Sequence, residues 1–141
     1  MRKSRLYLET STWNFFFADD APEKRDITKE FFLAVERQVY DIYISELVLE
    51  EINDAPEPQK AQLTGLLSRA APAVLEITEE ARELARYYVD KGIVPEKKLA
   101  DAIHVAVATI VDMDALVTWN FRHLANLRKS ELFHGAGVEK G

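Results

Sequence analysis

The feature that most constrains the fold is an alternation between two hydrophobic periods along the chain. Short strand-length apolar runs at 5–10, 42–45, 74–77 and 115–118 are separated by longer stretches with helical spacing. In the first run Leu6 and Leu8 share one face. A helix from Asp26, its cap, to about Arg37 would carry Ile27, Phe31, Ala34 and Val35 on one side. Ser45 can cap the helix after the second strand, and Pro56 and Pro58 separate that helix from one over Gln59 to Arg69, with Leu63, Leu66 and Leu67 together. Thr78 can cap the next helix, whose stripe is Ala81, Leu84, Ala85 and Tyr88 and which Gly92 stops. Lys97 to Val111 is the most apolar helix and should lie centrally. Strands alternating with helices predict an α/β fold in three layers, with a central, mainly parallel sheet of four or five strands flanked by helices. The 141 residues suit one domain, with the glycine-containing stretch 134–141 as a flexible tail.

Composition narrows the chemistry. The chain has no cysteine, which excludes disulfides and thiolate metal sites and fits a cytoplasmic setting. The basic and apolar start is not read as a signal peptide, because Glu9 and Asn14 break the run. No run approaches the roughly 18 apolar residues of a membrane span, so no membrane partner is expected. The net charge of -6 counts against tight non-specific nucleic-acid binding, which excess Lys and Arg normally drive. It counts less against a metal-dependent nuclease, since metal ligands are acidic and the ion reverses the local field.

In a parallel α/β sheet, ligands sit beyond the carboxyl ends of the strands. Glu9 ends the first strand; alone, it reads as a turn acid capping the next segment with Thr10 and Ser11. In the helix after Ser45, Glu51 falls between Leu47 and Val48 on the apolar side, whereas Glu46 and Glu50 face water. A carboxylate on a buried face needs a cation or hydrogen bonds, with an Arg or Lys partner as the plain alternative. Asp101 opens the small-residue helix, where the helix dipole favours it. His104 lies one turn on; it can orient an acid or bind substrate, and a satisfied core histidine is the commoner case. The fourth strand ends in Thr118-Trp119-Asn120, and an amide oxygen can ligate a hard metal or simply serve a turn. Together these place carboxylates at one sheet edge, a set suited to Mg²⁺ or Mn²⁺ and able to support phosphodiester cleavage.

These elements resemble a PIN domain, specifically the VapC-type toxins of prokaryotic toxin–antitoxin pairs, over Leu6 to about Leu124. The residues that carry the likeness are Tyr7-Leu8-Glu9-Thr10-Ser11, Ser45 with Glu51 six residues on, Asp101-Ala-Ile-His-Val-Ala, and Thr118-Trp119-Asn120-Phe-Arg-His. The family's first acid is usually Asp where this chain has Glu9, and its fourth position is often Asp where this chain has Asn120. The resemblance implies a PIN-like fold and a Mg²⁺- or Mn²⁺-dependent ribonuclease. Glu9, Glu51 and Asp101 would be metal ligands, and Asn120 an auxiliary ligand or water-positioner. It also implies an RNA substrate, a homodimer and an antitoxin supplied as a separate chain. A housekeeping RNA-processing nuclease, or a PIN-fold module that binds RNA or protein without cutting, is the alternative that Glu9 and Asn120 keep open.

Substrate contacts are expected from Thr10, His104, Thr118, Arg122 and His123, the last two forming a basic cluster with Arg128 and Lys129. Lys97 and Lys98 precede Asp101 and could face the same cleft. Trp13, Phe15, Phe16 and Phe17 follow Glu9; core packing or a protein-facing surface is favoured over base stacking, because such a group rarely stays in water.

Overall fold

A computed structural model describes residues 2–120. Four parallel strands form one sheet in the order β3-β2-β1-β4, comprising β1 (Ser4–Leu8), β2 (Tyr40–Ser45), β3 (Ala73–Leu75) and β4 (Ala115–Val117). Six α-helices flank it: α1 (Thr10–Asn14), α2 (Pro22–Glu36), α3 (Glu46–Asn53), α4 (Gln59–Ala70), α5 (Glu79–Asp90) and α6 (Leu99–Ile110). Short 3-10 turns follow α1 at Phe15–Phe17 and precede α6 at Glu96–Lys98. This is the α/β architecture expected from the alternating pattern. No helix among the described residues is long and apolar enough to cross a membrane.

The central strands are buried from both faces, which is why β1 reads as a nearly continuous apolar run. Leu6, Tyr7 and Leu8 of β1 and Ile42 and Ile44 of β2 all lie in the core. The register pairs Leu6 with Ile42 and Ala115, and Leu8 with Val117. Because every pair is parallel, β1, β2 and β4 deliver their carboxyl ends to one edge. Glu9, α3 and Thr118 therefore leave the sheet on the same side.

Local signals placed several elements as expected. Ser45 Oγ accepts from the Leu47 N–H to cap α3, and Thr78 Oγ1 accepts from Ala81 N to cap α5. Ala81, Ala85 and Tyr88 are buried along α5. The chain turns after α5 at Gly92, whose φ of +72° suits a residue without Cβ.

Other boundaries differ. The first strand stops at Leu8 rather than Thr10, because the Glu9 side chain accepts from Ser11 N and starts α1. Helix α2 begins at Pro22, not behind an Asp26 cap, since proline at the first turn has a suitable φ and no N–H to satisfy. Its inward residues are Thr28, Phe32 and Val35, whereas Ile27 is 56% exposed. Phe32 takes the inward place by packing 5.0 Å, centroid to centroid, from the buried Trp13. β3 covers Ala73–Leu75 rather than 74–77. The expected tail at 134–141 lies outside the described residues.

The amino-terminal strand is clasped to the start of β4. Asp114 accepts two hydrogen bonds from the Arg2 guanidinium, at 3.0 Å each, and one from Arg5 N at 2.7 Å. The Arg2 hydrogen bond, then the Arg5 N–H, hold the Asp114 carboxyl below its ordinary value. A carboxyl lowered by folding stabilises above its unfolded pKa, and the contribution is lost as pH falls through the folded one. Asp114→Asn should therefore lower the urea midpoint at pH 7, and the gap from wild type should narrow at strongly acid pH. A gap equally wide at both pH values would show that charge plays no part in the clasp.

Candidate active site

Glu9 is buried, at 4% exposure, and sits in a cage of donors at the sheet edge. Its Oε1 accepts from Ser11 N at 3.0 Å, from Ser11 Oγ, and from Thr118 Oγ1 at 2.8 Å. Its Oε2 accepts from Asn120 Nδ2 at 3.2 Å. The same hydroxyls hold the β4 exit in place: Thr118 Oγ1 accepts from Asn120 N, and Ser11 Oγ accepts from Trp119 N. Residues 109 and 111 positions away in sequence thus meet Glu9 because β1 and β4 are neighbours.

Thr10 connects this cage to Glu51. It follows Glu9 in the chain, and its hydroxyl donates to Glu51 Oε1. His104 Nε2 is 2.8 Å from the same oxygen. The acid on the apolar side of α3 is thus satisfied by a histidine and a threonine, not by Arg or Lys. Its side chain is 35% exposed, whereas that of His104 is only 1% exposed. Burial alone would raise the Glu51 carboxyl, but the hydrogen bonds from His104 and the Thr10 hydroxyl hold it below the ordinary value.

Behind His104 runs a buried polar chain. His104 Nδ1 is 2.7 Å from Tyr7 Oη, which is 2.8 Å from Ser45 Oγ. Burial, reinforced by the Glu9 and Glu51 charges, pushes the Tyr7 phenol well above its usual value despite the Ser45 hydrogen bond, so it keeps its proton. One assignment satisfies every partner with a neutral ring: Ser45 donates to Tyr7, Tyr7 to Nδ1, and Nε2–H to Glu51. Tyr7→Phe would leave Ser45 and His104 each short of a buried partner. The expected cost is about 1–3 kcal/mol in a denaturant melt. A change below about 0.5 kcal/mol would mean that the chain of bonds contributes nothing net.

Asp101 occupies the first turn of α6, half-buried and one turn before His104. Of that helix, it is His104 that reaches Glu51. Both ring nitrogens of His104 are engaged and the ring is buried, so in this structure its contacts are with Tyr7 and Glu51. Thr10 is also buried and its hydroxyl serves Glu51, while Thr118 serves Glu9. Lys97 is exposed and Lys98 half-buried in the turn before α6. Arg122, His123, Arg128 and Lys129 lie outside the described residues. Tyr7, Ser11 and Ser45 are supporting residues that pattern reading did not assign to the site. The available signal was a hydroxyl-bearing ring within the buried strand Leu6-Tyr7-Leu8, where a phenol needs a partner.

The donors around this edge are all oxygen, apart from the engaged histidine, which suits a hard divalent cation. Among the described residues, no three or more Asp, Glu or His side chains group to hold an ion. Glu9, Glu51 and Asp101 thus do not form a closed cage. What is present fits a more open arrangement: among the described residues, both hydrogen bonds to Glu51 fall on Oε1, and Glu9 Oε2 meets only the Asn120 amide. Mg²⁺ is commonly held by one or two carboxylates, with water and substrate phosphate completing the shell.

The fold is PIN-like. A chain in the crystal structure of VapBC2 from Rickettsia felis, bound to a DNA fragment from their promoter, is similar with a TM-score of 0.59 and 19% identity, over 86% of this chain and 94% of that chain. No protein-family model matches the sequence, and no curated protein matches it.

Proposed function

We propose that this chain is a divalent-metal-dependent endoribonuclease, a hydrolase acting as the toxin of a toxin–antitoxin pair. The observation that carries the reading is the joining of Glu9, Asn120 and Glu51 through Thr10 and Thr118 at the carboxyl edge of a PIN-like sheet. The structural likeness to a chain of VapBC2 supports it. Glu9, Glu51 and Asp101 are the acids that would hold Mg²⁺ or Mn²⁺, one or two of them at a time in an open arrangement completed by water and an RNA phosphate. When bound, such an ion would supply Lewis acidity for phosphodiester hydrolysis.

The protein's own part is positioning. Thr10 and His104 fix Glu51 Oε1, which leaves Oε2 for the site. Ser11 and Thr118 do the same for Glu9. A half-turn of the Asn120 amide would present Oδ1 in place of Nδ2, as an auxiliary ligand or a hold on water. An antitoxin from a separate chain, a homodimer and a cytoplasmic setting belong to the same proposal.

A second reading, a PIN-fold binding module without cutting, is favoured by the hydrogen-bonded state of Glu9 and by the missing cage. The separating experiment is cleavage of a mixed panel of structured and single-stranded RNAs with Mg²⁺, Mn²⁺ or EDTA. Metal-dependent cutting supports the nuclease. RNA binding without cutting under every metal condition supports the module and sinks the nuclease.

A further inference from the structure

Beside Glu9 and Asn120 lies a second set of groups with a different chemistry. Phe15, in the turn after α1, and Trp119, just after β4, have ring centroids 5.7 Å apart. Trp119 is fixed at two points: its backbone N–H donates to Ser11 Oγ at 2.8 Å, and its indole Nε1–H donates to Thr28 Oγ1 at 2.9 Å. Lys24 Nζ lies 5.5 Å from the Phe15 centroid and 5.6 Å from that of Trp119. Both rings stay half-exposed, whereas Trp13 is fully buried.

Phe15 also lines a cavity of about 460 Å³, together with Phe17, Asn14, Asp20, Gln59 and Gln62. That volume falls within the range of small-molecule sites, about 300–1,000 Å³. Two aromatic rings, three side-chain amides and one carboxylate form a lining suited to a flat heterocycle with a hydrogen-bonding edge.

We propose that this cavity is a base-recognition pocket for single-stranded RNA, which deepens the nuclease reading and rests on it. Phe15 and Phe17 give the pocket its stacking rings, Trp119 extends that surface beside Phe15, and Lys24, over the Phe15 and Trp119 rings, receives the neighbouring phosphate. Asn14, Gln59 and Gln62 both donate and accept, while the Asp20 carboxylate only accepts. The pocket therefore favours bases with an exocyclic amino group over uracil. Paired and stacked bases of a duplex do not enter. A chain with net charge -6 gains little from phosphate contacts alone, so contacts to bases must supply more of the binding.

The chain has two tryptophans, and with Trp13 buried a change in emission on binding reports Trp119. Titration of the full chain in EDTA with short oligo-A, oligo-C and oligo-U should give saturable quenching, tighter for A and C than for U. Phe15→Leu keeps the apolar bulk and removes the π face, and should weaken binding about 5- to 100-fold. The variant Asp20→Asn, which turns the acceptor-only group into one that also donates, should lose the preference over U. It should also cut mixed-sequence RNA without the base preference of wild type when metal is restored. Equal affinity for all three oligonucleotides, or unchanged affinity in Phe15→Leu, overturns the pocket. Metal-dependent cutting that responds to Glu51 would survive that result, so the two failures are distinct. Complete absence of quenching also overturns it and leaves the cavity to an apolar side chain of a protein partner.

Discussion

Glu51→Gln should reduce metal-dependent RNA cutting by about a hundredfold or more while leaving the melting transition nearly in place. Glutamine keeps an oxygen where Thr10 and His104 donate, so the local fold retains its acceptor. It removes the negative charge and the second carboxylate oxygen. Supporting partners of metal ligands already cost about 10- to 100-fold when changed, so a ligand should cost at least the upper end. Asp101→Asn should act in the same direction, since asparagine fits the first turn of α6 without the charge. Initial rates across an Mn²⁺ titration, with circular dichroism on each variant, provide the measurement. Cutting that survives both substitutions would remove these acids from the chemistry. Loss of cutting only where the fold is also lost would reduce them to structural groups.

Trp13→Ala should destabilise the domain by about 3–5 kcal/mol, the usual cost of emptying a large aromatic site. The indole is 0% exposed and packs on Phe32, which is itself 3% exposed. A domain's whole stability is about 5–15 kcal/mol, so a large share of the variant would unfold under mild denaturant. Trp13→Phe should cost much less, because the indole Nε1 has no hydrogen-bond partner among the described residues. Phenylalanine leaves a smaller void and removes the buried orphan donor. Urea titration of both variants gives the comparison. An alanine variant within about 1 kcal/mol of wild type would mean that Trp13 does not anchor this core.

The aromatic run after Glu9 shows how the fold divides similar residues. Trp13 enters the core, Phe16 packs near Phe32, and Phe15 turns toward Trp119. Composition favoured core packing or a protein-facing surface for the four as a group because it weighs only their shared cost in water. A short helix followed by a 3-10 turn directs them differently, and that turn forms because Glu9 ends the strand.

The helix rotation has a similar origin. Ile27, Phe31, Ala34 and Val35 satisfy a helical period as well as Thr28, Phe32 and Val35 do. Periodicity in a single segment leaves the facing angle open by about one residue, and contact with Trp13 selects the second set.

By itself, the sequence determined whatever depends on neighbours a few residues apart: alternating strands and helices, the caps at Ser45 and Thr78, the stop at Gly92, and the α5 stripe. It also pointed to the sheet edge where Glu9 and Asn120 now meet. Local hydrogen bonding and hydrophobic spacing are written in short windows, so these features can be read without coordinates. Tertiary structure decided the rest. His104 belongs to Glu51, 53 residues away, and Tyr7 fixes the far side of its ring across 97 residues. No spacing rule reaches such distances: those partners are set by which strands lie side by side and by the need of each buried polar group for one particular neighbour.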